Sequence, residues 1–232
     1  HRERFAAQVA RLDAEPDLDV VGSRLRLFPS GAYGEGMRRW RNWHDSLLTH
    51  EDIRRELLID SPVAHGCVML RREAVERVGG WHEHGWAEDL DLWIRLAESG
   101  ARFGKLARVL YAWRQHERSS TRQDARYAHE RFTALKVAAL DRGVLSGGRR
   151  ALLVGTGTSL GRWAEALGPR VERTVEVKQP PVGARAGEPL GVETREPHVL
   201  VLVLMAPAAR ARWRRYLTDR GHTEMQDFIF VA

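Results

Sequence analysis

Residues 85–96, GWAEDLDLWIRL, carry the reading on which the rest of the chain turns. Glu88 and Asp89 stand at the start of an amphipathic helix, behind a glycine, a tryptophan and an alanine. The first backbone amides of a helix have no partner within it, so they stabilise a carboxylate and fix its direction. A carboxylate held there can take a proton from a bound hydroxyl. The plainer reading is a helix cap with an acidic first turn, which ordinary helices use routinely. Asp91, two residues on, falls on another side of the helix and reads as structural. The order of the surrounding segments separates the two readings.

Working outward, Phe5, Val9 and Leu12 recur on one side of a helix over 2–14, ended by Pro16. A strand follows at 19–28, then a glycine-rich loop at 29–36 and a short helical or irregular stretch holding Trp40, Trp43, Leu47 and Leu48. Thr49 caps a helix over 51–58, which Asp60-Ser61-Pro62 interrupts. A strand at 66–70 and a helix at 72–78, stopped by Gly79-Gly80, lead into the acidic helix at 88–99. Two strands, 102–106 and 109–114, and a helix over 127–142 complete the first part. After the Ser146-Gly147-Gly148 joint come a strand at 151–154, a glycine turn, a helix to 167 and a strand at 171–177. The stretch 178–197 has no periodicity, 199–205 is a fully apolar central parallel strand, 208–219 a basic helix and 228–231 a closing strand.

The bulk properties narrow the choice. A chain of 232 residues with 43% hydrophobic and 29% charged side chains holds one α/β domain or two small ones and has enough apolar material for a core. The lone cysteine, Cys67, excludes an internal disulfide and a multi-thiolate metal site, and its HGCVML context reads as buried strand. The longest apolar run, VLVLVLM, is seven residues, far short of a bilayer span. With no signal-peptide pattern, a cytoplasmic setting, extending to the cytoplasmic face of the membrane, is expected. The net charge is +6, and 13 basic against 9 acidic residues from Arg149 onward place most of it in the last part. That excess is dispersed, so nucleic acid is not expected as a partner. The chain opens at His1 inside a helical pattern and reads as a segment of a longer protein.

The ordered series HRERFAAQVARLDAEPDLDVVGSRLRLF (1–28), THEDIRRELLIDSPVAHGCVMLRREAVERVGGW (49–81), GWAEDLDLWIRLAESGARFGKL (85–106) and VLYAWRQHERSS (109–120) resembles the acceptor half of a family 2 glycosyltransferase, an inverting enzyme of the GT-A fold. The resemblance covers half the chain. It implies an α/β fold: a partial GT-A-like domain at 1–145, then a small Rossmann-like α/β domain at 149–232 of the kind some such enzymes carry. The resemblance makes Asp89 the catalytic base, with Glu88 orienting the acceptor. An exposed aspartate near its ordinary pKa of about 4 is ionised at neutral pH and suits that task. His65 matches a position near the acceptor pocket, a hydrogen-bonded structural histidine being the other reading, and Trp81 and Trp86 divide between core packing and stacking on a sugar ring. The closing loop places Arg114 to neutralise the donor diphosphate and His116 to reach a metal. Mg2+ or Mn2+ is the expected ion, its main carboxylate ligands lying upstream of residue 1, so this segment alone is expected to bind no nucleotide tightly and to be inactive. The implied donor is a nucleotide sugar, the implied acceptor a glycan, lipid-linked or cell-surface group, and the setting cell-wall or polysaccharide biosynthesis.

In the second part, GTGTSLG places Gly155, Gly157 and Gly161 between a strand and a helix, where a phosphate-cradling turn belongs, and Glu176 follows Gly157 by 19 residues at ribose distance. The unit lacks a second βαβ half, so packing, regulation or assembly is expected here rather than NAD(P) chemistry. An NAD(P)-binding oxidoreductase and a non-catalytic interaction fragment are the alternatives to sugar transfer. The helix at 208–219, with Arg210, Arg212, Trp213, Arg214 and Arg215, reads as a solvated face or as a weak contact for anionic membrane or a partner protein.

Overall fold

A computed structural model describes residues 1–177, 191–192 and 196–232. The described chain forms two compact units, His1–Phe132 and Thr133–Ala232. The first is built on a three-stranded sheet in the order β2-β1-β3. Strand β1 (Val20–Phe28) runs parallel to the long strand β3 (Phe103–Arg114) and antiparallel to the two-residue strand β2 (Met69–Leu70). The two strands expected at 102–106 and 109–114 are one strand, because the register with β1 slips around Ser23–Leu25 and the intervening residues bulge without breaking the pairing. The strand expected at 66–70 is shorter: His65–Cys67 forms one 3₁₀ turn first. There Gly66 lies so close to the Tyr111 hydroxyl that a side chain could not stand in its place.

Helix α1 (Arg4–Ala14) inverts part of its expected face. Phe5 and Val9 are 61% and 44% exposed, and the buried positions are Gln8 and Leu12. The Gln8 side-chain amide donates to the carbonyls of Val21 and Cys67, both at 2.8 Å, so a polar side chain points inward because backbone acceptors there need a donor. The stretch around Trp40 is a full helix, α2 (Glu35–Ser46), that starts inside the glycine-rich loop. Helix α3 (His50–Glu56) carries the expected Thr49 cap, closed by Asp52 as a capping box. Helix α4 (Arg72–Arg77) is followed by α5 (Glu88–Glu98), which buries Leu90, Leu92, Trp93, Ile94 and Leu96. Asp91 is buried too, paired at 2.8 Å with Arg95 one turn on, which is the structural role its position suggested. A single helical turn, α6 (Ser120–Gln123), and α7 (His129–Arg142) follow, and the division between the units falls within α7.

In the second unit β4 (Arg150–Gly155), β5 (Val171–Glu176), β6 (Val199–Val203) and β7 (Phe228–Phe230) form an all-parallel sheet in the order β5-β4-β6-β7. Helices α8 (Gly157–Leu167) and α9 (Pro207–Thr218) bury Trp163 and Trp213. The Lys136 ammonium of α7 donates to the Val231 carbonyl at 3.0 Å. Both units are α/β with parallel pairing, the class expected. The aperiodic stretch 178–197 lies mostly outside the described residues.

The three glycines of the turn after β4 carry unequal burdens. A Cβ on Gly155 would stand 3.1 Å from the Leu204 Cβ and 3.4 Å from Leu160 Cδ1, whereas one on Gly161 would meet nothing. Gly155→Ala is expected to cost about 1–3 kcal/mol through overpacking. Gly161→Ala, inside an exposed helix face, is expected to stabilise by about 0.5–1 kcal/mol. Urea unfolding of the two variants checks the contrast, and equal effects would contradict this packing.

Candidate functional site

The candidate site is a cavity of about 620 Å³ in the first unit, lined from five stretches of the sequence. Helix α5 brings Asp89, the segment before β2 brings Asp60, Ser61, Ala64, His65 and Gly66, and α2 brings Met37 and Trp40. Strand β3 supplies Tyr111 and Trp113, which share a face because they are two residues apart. Thr121, Tyr127 and Phe132 close the remaining side.

Asp89 Oδ1 accepts the amide of Leu90 at 2.8 Å. Oδ2 lies 3.4 Å from the Ser61 hydroxyl, whose single proton has a nearer acceptor in the Val63 carbonyl at 3.1 Å. Oδ2 is thus lightly held beside the cavity. The carboxyl is not the exposed group the sequence suggested. Burial, reinforced by the charge of Glu88 and opposed by the Leu90 amide, raises its pKa from 3.8 to about 6. Glu88 points elsewhere: it accepts the Tyr127 hydroxyl at 3.2 Å and pairs with Arg126 at 3.3 Å. Arg126 is also bound to Asp124 at 2.6 Å. Glu88 thereby ties the 124–127 segment to the start of α5. Burial and the charges of Asp89 and Glu88 push the Tyr127 phenol upward, so it stays a donor.

Beneath the cavity, His44 Nε2 accepts the Ala64 amide at 3.2 Å, and its Nδ1 lies 2.9 Å from Asp45 Oδ1. Burial lowers the His44 pKa to about 4 despite the aspartate. The ring is therefore neutral, with its proton on Nδ1, and it fixes the backbone that carries His65. Trp40 stacks on His44 at 5.0 Å and meets Trp113 edge-on at 5.6 Å.

Of the residues singled out by sequence, Asp89 and His65 line the cavity. Trp81, 46% exposed, stacks on the His65 ring at 5.8 Å. Trp86 is half-buried against His84 at 5.5 Å and is not part of the lining. Arg114 is exposed at the end of β3, opposite Phe28. His116 lines a separate hollow with Tyr33, Glu117 and Arg122. Among the described residues no group of three or more His, Cys, Asp or Glu is gathered as a metal site, so the donor set here does not by itself fit Mg2+ or Mn2+. The sequence passed over Trp40, Tyr111, Trp113 and Tyr127. Two signals pointed to the wall: Tyr111 and Trp113 at strand period, and Met37 and Trp40 at helical period. A larger hollow of about 800 Å³, around Pro16, Leu48 and Arg102, contains none of the residues the sequence motif names.

In the second unit the Gly157 amide donates to Glu176 Oε1 at 3.3 Å, and Gly157 adopts φ +60°. Gly155, Gly157 and Glu176 meet at the turn, while Gly161 faces solvent on α8. In α9, Trp213 is core, Arg214 binds Glu224 at 2.7 Å and Arg210 donates to the Met205 carbonyl at 3.1 Å. Arg212 and Arg215 are exposed. No helix among the described residues is long and apolar enough to cross a membrane.

Comparison with known proteins places these features in a lineage. The profile of the glycosyl transferase family group 2 matches residues 10–163. The amylovoran biosynthesis glycosyltransferase AmsE of Erwinia amylovora is 27% identical over 108 residues, 47% of this chain. The match spans 38% of that protein's length. No solved structure matches the chain.

The raised Asp89 pKa has a consequence for stability. Because the folded value of about 6 exceeds the unfolded value near 3.8, the protonated form favours folding. That contribution is complete below pH about 4 and is lost as pH rises through about 6. Asp89→Asn escapes the loss and is expected to gain about 2–3 kcal/mol on the native protein between pH about 4 and about 7. Denaturant unfolding at the two pH values measures it; a constant difference would contradict the burial of this carboxyl.

Proposed function

The chain belongs to glycosyl transferase family group 2, and on that premise we propose that the protein moves a sugar from a nucleoside-diphosphate donor to a hydroxyl of a glycan or lipid-linked acceptor, inverting the anomeric carbon. The observation that carries this reading is the lightly held Asp89 Oδ2 beside a cavity walled by aromatic rings. As the acceptor oxygen attacks, its proton passes to Oδ2. The new carbon–oxygen bond forms as the bond to the diphosphate breaks on the opposite face. Burial aids the step, since a carboxylate with a pKa of about 6 is a stronger base than an exposed aspartate yet still largely ionised at pH 7. Glu88 is proposed as a positioning residue, holding Tyr127 and Arg126 so that the cavity wall stays closed around the acceptor. His65, stacked on Trp81, is proposed to contact the acceptor at the rim. Arg114 and His116, outside this cavity, are proposed to act on the donor side. Cell-wall or polysaccharide biosynthesis is the proposed setting, and the Erwinia relative is named for amylovoran biosynthesis.

The dinucleotide alternative has less support. The exposed Gly161 does not serve helix–sheet packing, the third glycine's part in a dinucleotide fingerprint. Glu176 sets the chain's own carboxylate on the Gly157 amide, where a phosphate would be received.

The pH dependence of kcat/KM in the full-length protein tests the proposal. The rate is expected to fall about tenfold per pH unit below an apparent pKa of about 6, following Asp89. Asp89→Asn is expected to lose about 10²–10⁴-fold in kcat. Near-normal turnover in that variant would remove Asp89 as the base.

A further inference from the structure

Resting on the reading of the Asp89 cavity as the acceptor site, we propose that the cavity selects acceptors by charge: the ring seated there is neutral or amine-bearing and carries no carboxylate, sulfate or phosphate.

The lining supplies two carboxylates, Asp60 and Asp89, and among its described residues no lysine or arginine. Two arginines beside lining residues are committed elsewhere. Arg4 donates to the Gly66 carbonyl and lies 4.7 Å and 5.5 Å from the ring centres of Phe5 and Tyr111. Arg126 is held by Glu88 and Asp124. His65, with its ring against Trp81, is the imidazole among the described lining residues. An anionic substituent entering here would meet like charge in a partly desolvated space, where salt screens poorly.

The walls favour the same choice. Trp40, Tyr111 and Trp113 bring π-systems whose electron-rich faces attract C–H groups and ammonium and repel anions. Ionised carboxylates are pure acceptors, so they suit a ligand rich in hydroxyl or ammonium donors. The Tyr127 hydroxyl is already donated to Glu88. The cavity therefore offers carboxylate acceptors and aromatic faces.

Titration of the full-length protein with three matched trisaccharides tests this: one of glucose, one of glucosamine and one of glucuronate, followed by tryptophan emission. The glucose and glucosamine forms are expected to saturate, with the glucuronate form at least about tenfold weaker. Asp60→Asn is expected to raise the ratio of glucuronate to glucose affinity several-fold, and Trp113→Phe to reduce the emission change. Glucuronate binding as tight as glucose, or a ratio unmoved by Asp60→Asn, would overturn the charge selection, as would failure of all three to bind. The transfer reading stands or falls separately, on the turnover of Asp89→Asn.

Discussion

Strand β1 runs buried through the first unit, and the need to satisfy its backbone organises everything around it. On one edge it pairs with β3 along its whole length. On the other, β2 pairs with Val20 and Val21 alone. Beyond that point side chains take the place of a strand. Gln8 donates to the Val21 carbonyl, the Cys67 thiol approaches the Ser23 carbonyl and Asp45 Oδ1 accepts the Leu25 amide. A buried amide or carbonyl left without a partner would cost about 1–3 kcal/mol, so these substitutes are structural necessities. Asp45 then carries the constraint onward: the same oxygen receives the His44 proton, and His44 receives the Ala64 amide. The floor of the cavity is thus set by the way a strand edge is completed.

Above that floor the site works against its own stability. The helix start and the Leu90 amide favour ionised Asp89, while burial and the neighbouring charge of Glu88 disfavour it, and the balance leaves the carboxyl near a pKa of 6. Strain of this kind suits a proton acceptor more than a cap, since a cap gains by being ionised and well hydrated. Glu88, adjacent in sequence, has the opposite surroundings: an arginine and a phenol. One carboxylate of the pair binds structure, and the other is left to the cavity.

Much of this was legible in the sequence because it depends on period and order. The α5 pattern, the Thr49 cap, the apolar β6 run and the acidic pair all obey local rules, and Asp89 and His65 do share one cavity. The misreadings arose where tertiary demand overrides period. Phe5 and Val9 face outward because the β1 backbone requires Gln8 inward. Around Gly66 the chain makes a 3₁₀ turn over His65–Cys67 before β2, with the Tyr111 hydroxyl in the space a side chain would take. The aromatic wall was illegible as a unit, since Trp40, Trp113 and Tyr127 come from three distant segments that only the fold assembles.

In the second unit the three glycines of the motif meet different local demands. Gly155 is required by close packing on Leu204, and Gly157 by a left-handed backbone. Gly161 satisfies neither need, and Glu176 turns inward to the Gly157 amide. Two glycines shaped by the turn itself suffice to join a parallel strand to a helix, whatever the turn binds. The family profile extends to residue 163, through this turn and along most of α8, so the strand–turn–helix belongs to the same sequence lineage as the Asp89 cavity. Within the turn itself, close packing accounts for Gly155 and the left-handed backbone for Gly157.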